Sequence, residues 1–313
     1  MKRGPERVPV LFLRSGFERF SVISSMHWHH ASGSLALDRP IVMGIVNVTP
    51  DSFSDGGRLA TVDDARRLVD GLLAEGADIV DIGGESTRPH TTPITADEEL
   101  GRVIPVIDAV RKDHPESVIS IDTVKARVAG EALAAGAAIV NDVSALRLDG
   151  EMAFVCARSS AGVVLMHSRG DVADMATFEY ARYEDGVVTA VADELAASVA
   201  RATGAGIARG RIVLDPGVGF AKRAADSIAV LRRLDHVASL GFPILVGVSR
   251  KRFIGELTGV STPSARVAGS VGANVAALAR GARIFRVHDV KPTREALDVA
   301  WAILNDTGLA QTT

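Results

Sequence analysis

The sequence predicts a (β/α)8 TIM barrel, a single α/β domain with a short N-terminal extension, and three observations carry that prediction. From residue 40 onward, short β-branched apolar runs alternate with longer Ala- and Leu-rich helical stretches. Most of the runs are apolar almost without interruption, as parallel strands buried on both faces require. The same junction also recurs where a helix must give way to a strand. Glu75-Gly76-Ala77-Asp78-Ile79-Val80, Ala135-Gly136-Ala137-Ala138-Ile139-Val140 and Arg280-Gly281-Ala282-Arg283-Ile284-Phe285 each put glycine at a left-handed helix cap, with the strand two or three residues on.

In chain order the predicted strands are Ile41–Val46, Ile79–Ile82, Val118–Ile121, Ala138–Val140, Val163–Met166, Ile212–Leu214, Ile244–Val248 and Ile284–Val287. Amphipathic stretches such as Val62–Glu75, Val124–Ala135 and Gly186–Thr203 read as the intervening helices. Eight strand-plus-helix units close a barrel; a doubly wound sheet is the alternative if the strand count is off by one or two. At 313 residues, a prior of ~150 residues per domain would allow two domains, but α/β barrels commonly use ~250 residues as one. The expected organisation is therefore an N-terminal extension over 1–37, expected to be poorly ordered, a barrel over 38–308 and a tail over 309–313. The extension holds His27, Trp28, His29 and His30, which read as a solvated segment rather than a metal site. Its apolar run Val8–Leu13 is too short for a secretory signal and ends at Arg14.

Composition narrows the function. With 35 Lys+Arg against 38 Asp+Glu the net charge is −3, which lacks the basic excess of a nucleic-acid binder. Aromatic residues at 4% weaken a single-strand stacking platform further. No apolar stretch reaches the ~18 residues of a membrane span. The lone cysteine, Cys156, excludes an internal disulfide and a multi-cysteine zinc site. Its Ala/Val/Phe-rich surroundings read as core, and a reducing cytoplasm is the expected compartment.

A second regularity points to chemistry. Polar residues gather at or just past the C-terminal ends of the apolar runs: Asn47, Asp81, Asp122, Asn141-Asp142, His167, Asp215, Ser249-Arg250-Lys251, Arg286 and His288-Asp289. Any one alone could be a helix cap. In a barrel all of these ends meet on one face, where active sites sit.

The motifs at these ends are Gly44-Ile45-Val46-Asn47-Val48-Thr49-Pro50-Asp51-Ser52-Phe53-Ser54-Asp55-Gly56-Gly57, Asp81-Ile82-Gly83-Gly84-Glu85-Ser86-Thr87-Arg88-Pro89, Leu214-Asp215-Pro216-Gly217-Val218-Gly219-Phe220-Ala221-Lys222, Leu245-Val246-Gly247-Val248-Ser249-Arg250-Lys251 and Arg286-Val287-His288-Asp289-Val290. In series, over about residues 40–305, they resemble the dihydropteroate synthases, pterin-binding TIM-barrel enzymes of the folate pathway. That resemblance implies Mg2+-assisted condensation of 6-hydroxymethyl-7,8-dihydropterin diphosphate with p-aminobenzoate to give dihydropteroate and diphosphate. It also implies a homodimer through late barrel helices, for which the Ala-rich stretch Val271–Ala279 permits close packing. Neither nucleic acid nor membrane is an expected partner.

The residue types suit that chemistry. A pterin edge offers amidine-like N–H donors beside a carbonyl; a carboxylate accepts the former, an amide does both, and an ammonium meets the latter. Asp215, Asn141 and Lys251 match the family's pterin contacts, with Asp122 closing the other end of the ring. Gly217 and Gly219 let backbone approach, and Met166 and Phe220 cover the ring. For the diphosphate, Arg286 supplies a guanidinium fork and His288 a donor on the same strand face. Asn47 offers a neutral amide oxygen to Mg2+, a metal that keeps several waters and uses few protein ligands. With so weak a protein site, metal should arrive with the diphosphate. The resemblance assigns Phe53, Thr87, Arg88, Pro89 and Ser249, with the Lys251 stem, to the p-aminobenzoate pocket, and has Asp55 help stabilise a pterin-borne cation. The implied reaction is dissociative substitution without a strong general base.

Two positions depart from the family pattern. His90 stands where glycine is common, which bears on loop closure, and Ser168 stands where methionine is common, which trims apolar surface near the pterin pocket. Two other readings compete with this one. A methyltetrahydrofolate-binding methyltransferase would keep the pterin-edge groups without the diphosphate set. A non-catalytic pterin-binding paralogue would be expected to have lost Asn47, Arg88 or Lys251, and all three are here.

Overall fold

A computed structural model describes residues 26–49, 61–89 and 91–305 of the chain. Two short strands open it, β1 (His27–His30) and β2 (Gly33–Ala36), paired antiparallel. Then come β3 (Ile41–Asn47), β4 (Ile79–Gly83), β5 (Val118–Asp122), β6 (Ile139–Asp142), β7 (Gly162–Met166), β8 (Ile212–Asp215), β9 (Leu245–Val246) and β10 (Ile284–Val287). These eight form one sheet in the order β8-β7-β6-β5-β4-β3-β10-β9, every pairing parallel. A parallel bridge between Leu214 and Ile244 joins the two ends, so the sheet closes into the barrel that the strand count predicts.

Helices α1 (Val62–Ala74), α2 (Ala96–Asp113), α3 (Ala126–Ala134), α4 (Met152–Ser159), α5 (Val187–Gly204), α6 (Ala224–Arg232), α7 (Leu234–Ala238), α8 (Arg252–Thr258), α9 (Val267–Leu278) and α10 (Val290–Asn305) follow the strands. Local chemistry sets their ends. Thr61 and Asp64 form a reciprocal capping box on α1, and the Thr95 hydroxyl accepts from Glu98 N–H at 3.2 Å on α2. Gly76, Gly136 and Gly281 all take positive φ after α1, α3 and α9, as the recurring junction requires. Among the described residues, no helix is long and apolar enough to cross a membrane.

The pleat divides each strand between two cores. Val42, Val46, Val80, Ile82, Val140, Val163, Leu165 and Phe285 pack outward with the helices. Ile41, Met43, Ile79, Ile139, Val164, Val213, Leu245 and Ile284 form a separate inner layer at the N-terminal end. The β1–β2 hairpin closes that end. Trp28 is fully buried in the inner layer with Leu37, and its indole N–H donates to Arg211 O at 2.9 Å.

Two boundaries differ from the sequence reading. Residues 26–37, assigned there to a poorly ordered extension, form this plug, because the alternating exposure of His27–His30 turns Trp28 and His30 inward. The seventh barrel strand stops at Val246 rather than Val248, because the chain turns at Gly247 and reaches a left-handed Arg250 (φ 59°). Residues 306–313, which include the expected tail, lie outside the described residues.

Candidate active site

The same pleat that builds the inner layer aims the polar groups. Two residues along from an inward apolar side chain, a strand points inward again. From Ile79, Ile139, Val164, Val213 and Ile284 that step reaches Asp81, Asn141, Met166, Asp215 and Arg286. The four-residue step from Ile284 reaches His288, and Asn47 lies four residues on from Met43. Five of the eight barrel strands thus direct polar side chains to the C-terminal mouth, and β7 adds the apolar Met166.

Much of that layer is a single connected run. Arg286 donates through Nε to Asp81 Oδ2 and through Nη2 to Asp122 Oδ2, both at 2.6 Å. Asn141 Nδ2 donates to the same Asp81 oxygen at 3.1 Å. Burial drives the Asp122 carboxyl up to about 7; Arg286 opposes this, and the charges of Asp81, Glu99 and Asp142 reinforce it. The Arg286 guanidinium is held firmly in its charged form by Asp81 and Asp122 against the cost of burial.

Across the mouth, burial pulls the Lys251 ammonium down to about 8, with Asp215 opposing and Arg286 assisting. Lys251 donates to Val218 O, and its Nζ sits 4.4 Å from the centre of the Phe220 ring. Asp215 is buried, and its carboxyl is raised by that burial while Lys251, the Gly217 N–H, Lys222 and Arg286 all favour the charged form. Oδ1 of Asp215 accepts from Gly217 N at 2.7 Å. Glycine is required there: φ is +65°, and a Cβ would collide with the His167 carbonyl. Met166 and Phe220 share an apolar cluster with Val124, Val143, Val172 and Met175, which makes one wall of the pocket. Ser168, the departure from the family pattern, donates to Val143 O at 2.6 Å and ties the ends of β6 and β7 together.

The last two strand ends are bolted to one another. Arg250 grips Asp289 through two hydrogen bonds of 3.0 and 2.6 Å, and Ser270 Oγ and Arg266 hold its backbone N–H and carbonyl. This bracing sustains the left-handed Arg250 backbone between Ser249 and Lys251. Ser249 Oγ lies 3.0 Å from His288 Nδ1 and accepts from the His288 backbone N–H at 3.2 Å. Burial, then the charges of Arg250, Arg286 and Arg88, push His288 down to about 3 despite Asp289. His288 is therefore a neutral imidazole that can offer one N–H.

After β4, Thr87 is half-buried while Arg88 and Pro89 are exposed. The base of this loop is fixed by Lys125, which pairs with Glu85 at 2.9 Å and with buried Glu99 at 2.6 Å, and by Ile94 N–H donating to Glu85 at 2.9 Å. Phe53, Asp55 and His90 lie outside the described residues.

The donors also fit the expected metal. Among the described residues, no cluster of three or more His, Cys, Asp or Glu side chains is arranged around a cation position. Asn47, half-buried at the tip of β3, is a neutral oxygen donor suited to a hard cation whose remaining ligands come from phosphate and water.

Three groups escaped the sequence reading of the site. Asp81 was noted only as a strand-end acid, yet it joins Arg286 to Asn141. The Arg250–Asp289 pair lies inside two quoted motifs, but its partners are 39 residues apart. Lys222 ends the β8 motif and is fully buried, which nothing in a Gly-rich loop signals.

The pterin binding enzyme family matches residues 43–288. The chain is 42% identical over 272 residues to the dihydropteroate synthase of Bacillus subtilis (strain 168), covering 87% of this chain and 91% of that one. Among solved structures, it is similar to Xanthomonas albilineans dihydropteroate synthase with 4-aminobenzoic acid, with a TM-score of 0.83, 47% identity and coverage of 90% and 99%. It is also similar to the Yersinia pestis dihydropteroate synthase with a sulfonamide drug complex, with a TM-score of 0.83, 41% identity and coverage of 89% and 99%.

Proposed function

Because the chain belongs to the pterin binding enzyme family, as one of its dihydropteroate synthases, we propose that it condenses 6-hydroxymethyl-7,8-dihydropterin diphosphate with p-aminobenzoate. The products are 7,8-dihydropteroate and diphosphate. One observation carries this reading: the run Asn141–Asp81–Arg286–Asp122 meets Asp215 and Lys251 at one barrel mouth. That set offers carboxylate, amide and ammonium to a pterin edge and a guanidinium to an anion.

In this reading Asp215 and Asn141 receive the amidine edge, Lys251 meets the ring carbonyl, and Asp122 closes the far end. Met166 and Phe220 cover the ring against water. The C–O bond to diphosphate breaks with its electron pair leaving on oxygen, and Arg286 and His288 stabilise that charge, the latter by an N–H bond rather than by charge. When bound, Mg2+ adds charge neutralisation on the diphosphate, and Asn47 would hold it. The exocyclic carbon is left as a pterin-stabilised cation, with Asp55 nearby in the family reading. The neutral arylamine then forms the C–N bond and loses its proton to diphosphate or solvent, so no strong base is needed. Thr87, Arg88, Pro89, Phe53, Ser249 and the Lys251 stem would line the arylamine pocket. Sulfonamides would compete there; sulfamethoxazole failing to compete with p-aminobenzoate at steady state would remove that assignment.

The direct test supplies both substrates with Mg2+ and follows diphosphate release. Turnover that EDTA suppresses is expected. Folded protein that binds pterin without turnover would overturn the catalytic reading. We further propose a homodimer through the late helices. Its support is the exposed Leu257, Val299, Ile303 and Leu304, together with an apolar groove of about 350 Å³ lined by Leu231, Phe253, Ile254, Leu257 and Ala273. Sedimentation equilibrium giving only a monomer would exclude it. A cytoplasmic location is proposed on the strength of the single, buried cysteine, and cell fractionation tests it.

A further inference from the structure

The loop after β8 runs Asp215-Pro216-Gly217-Val218-Gly219-Phe220-Ala221-Lys222 and folds back so that the Lys222 ammonium lies fully buried beneath it. Nζ is 2.8 Å from His167 Nδ1 and 3.1 Å from each of the Gly217 and Phe220 carbonyl oxygens. An ammonium has three N–H donors and no acceptor, so all three are used and His167 Nδ1 must be the bare nitrogen. Burial, then the charge of Lys222, keeps His167 neutral by pulling it to about 4. Its proton then rests on Nε2, 3.1 Å from Glu194 Oε2, and Glu194 is gripped in turn by Arg169. Burial works against the Glu194 charge, and the neighbouring His167 and Arg169 outweigh it, holding the carboxyl at about 2.

A buried ammonium is costly even when paired, and an apolar side chain of similar length would fill the same space. The loop above it gives the charge a purpose. Gly217 and Gly219 are left-handed, and Ala221 adopts φ 47° without a glycine's freedom. Ala221 is tethered by its N–H to Met175 O at 2.7 Å, and its carbonyl accepts from the Tyr183 hydroxyl at 2.8 Å. The loop residues whose carbonyls Lys222 holds are Gly217, whose N–H binds Asp215, and Phe220, whose ring faces Lys251. The groups facing Asp215 are Lys251, the Gly217 N–H, Lys222 and Arg286. Those facing Lys222 are Asp215, Lys251, Glu194, Arg169 and His167.

We propose that Lys222 is a positioning residue for the pterin subsite: its ammonium fixes the two loop carbonyls and sets a second lysine charge behind Asp215. The inference rests on the pterin-binding reading above. Removing the charge makes Asp215 easier to protonate, so the carboxylate that receives the pterin edge is lost at a higher pH.

The test is a fluorescence titration with 6-hydroxymethylpterin at a series of pH values, on wild type, Lys222→Met and Tyr183→Phe. Tyr183→Phe cuts a neighbouring tether of the same loop and leaves the charge intact. Both variants should bind the probe more weakly, Lys222→Met by about tenfold. Only Lys222→Met should move the acid midpoint of binding, upward by about half a pH unit. If circular dichroism shows Lys222→Met unfolded, Lys222→Arg replaces it; that variant keeps the charge in the wrong shape, and weaker binding with an unmoved midpoint is expected. Wild-type affinity in the variant tested, an equal midpoint shift in Lys222→Met and Tyr183→Phe, or a shifted midpoint in Lys222→Arg would each overturn the inference. Wild type failing to bind the probe would instead remove the pterin reading itself.

Discussion

The two ends of the barrel are built by the same strands and do opposite things. Ile79 and Asp81, Ile139 and Asn141, Val213 and Asp215, and Ile284 and Arg286 are inward neighbours about 7 Å apart on one strand face. The first of each pair belongs to an apolar layer sealed by Trp28 and Leu37, and the second to the polar layer at the mouth. The sealed floor keeps water from beneath the charges. Burial can then dominate the proton affinities of Asp122, Asp215 and Lys251, and each charge acts on its neighbours at close to full strength. Stability and chemistry are separated along the strand axis by a single step of the pleat.

That separation can be broken from either end. Lys251→Ala should lower kcat/KM by at least about a thousandfold. Its thermal midpoint should hold or rise, because a partly buried ammonium has been removed. Full turnover by this variant in the diphosphate-release assay would show the site wrongly assigned. Trp28→Ala should do the reverse. Emptying the plug costs about 3–5 kcal/mol of unfolding free energy, measured by denaturant titration, while the folded fraction keeps its specific activity. A large loss of activity per folded molecule would mean that floor and mouth are coupled more tightly than the packing implies.

The contrast between the ends also explains what could be read in advance. Ile212–Leu214 and Val163–Met166 announce themselves because buried parallel strands need unbroken apolar side chains, and the polar residue that ends each run is visible as a break. Asn141, Asp215, Lys251 and Arg286 are legible in this way. The links between them are not. Arg286 and Asp81 stand 205 residues apart, and only the pairing of the last strand, β10, with the first barrel strand, β3, sets β10 two strands from β4 at one mouth. The reading that gave Arg286 to an anion therefore missed that two carboxylates hold it. The plug was missed for the opposite reason: His-Trp-His-His carries so short an alternation that its period is lost beside the histidines. Lys222 was hidden because a turn with two left-handed glycines has no period from which to infer direction.

A smaller effect sharpens the electrostatics of the mouth. Burial lowers Lys251 to about 8, so its ammonium is complete below that pH and is lost as pH rises through it. In free enzyme, kcat/KM for the pterin substrate should fall about tenfold per pH unit on that alkaline side. Lys251→Arg, always charged, should show a lower plateau without this limb. An alkaline limb that persists in Lys251→Arg would assign the titration to another group, with Lys222, lowered by burial to about 7, the first to examine.

The smallest effect belongs to the sealed end. Cys156 is fully buried in the outer core, and its carbonyl accepts from Arg211 Nη1 at 3.1 Å, the same arginine whose own carbonyl receives Trp28. Cys156→Ala leaves that backbone acceptor in place and deletes only a sulfur. The expected loss is about 1 kcal/mol, a shift of a few degrees in Tm, with turnover unchanged. Burial and the nearby Asp142 push the thiol up to about 12, against Arg211, so iodoacetamide should not label native protein at pH 8 and should label it once unfolded. Native labelling, or a change in kcat/KM for Cys156→Ala, would show that the floor of the barrel opens on the timescale of the chemistry above it.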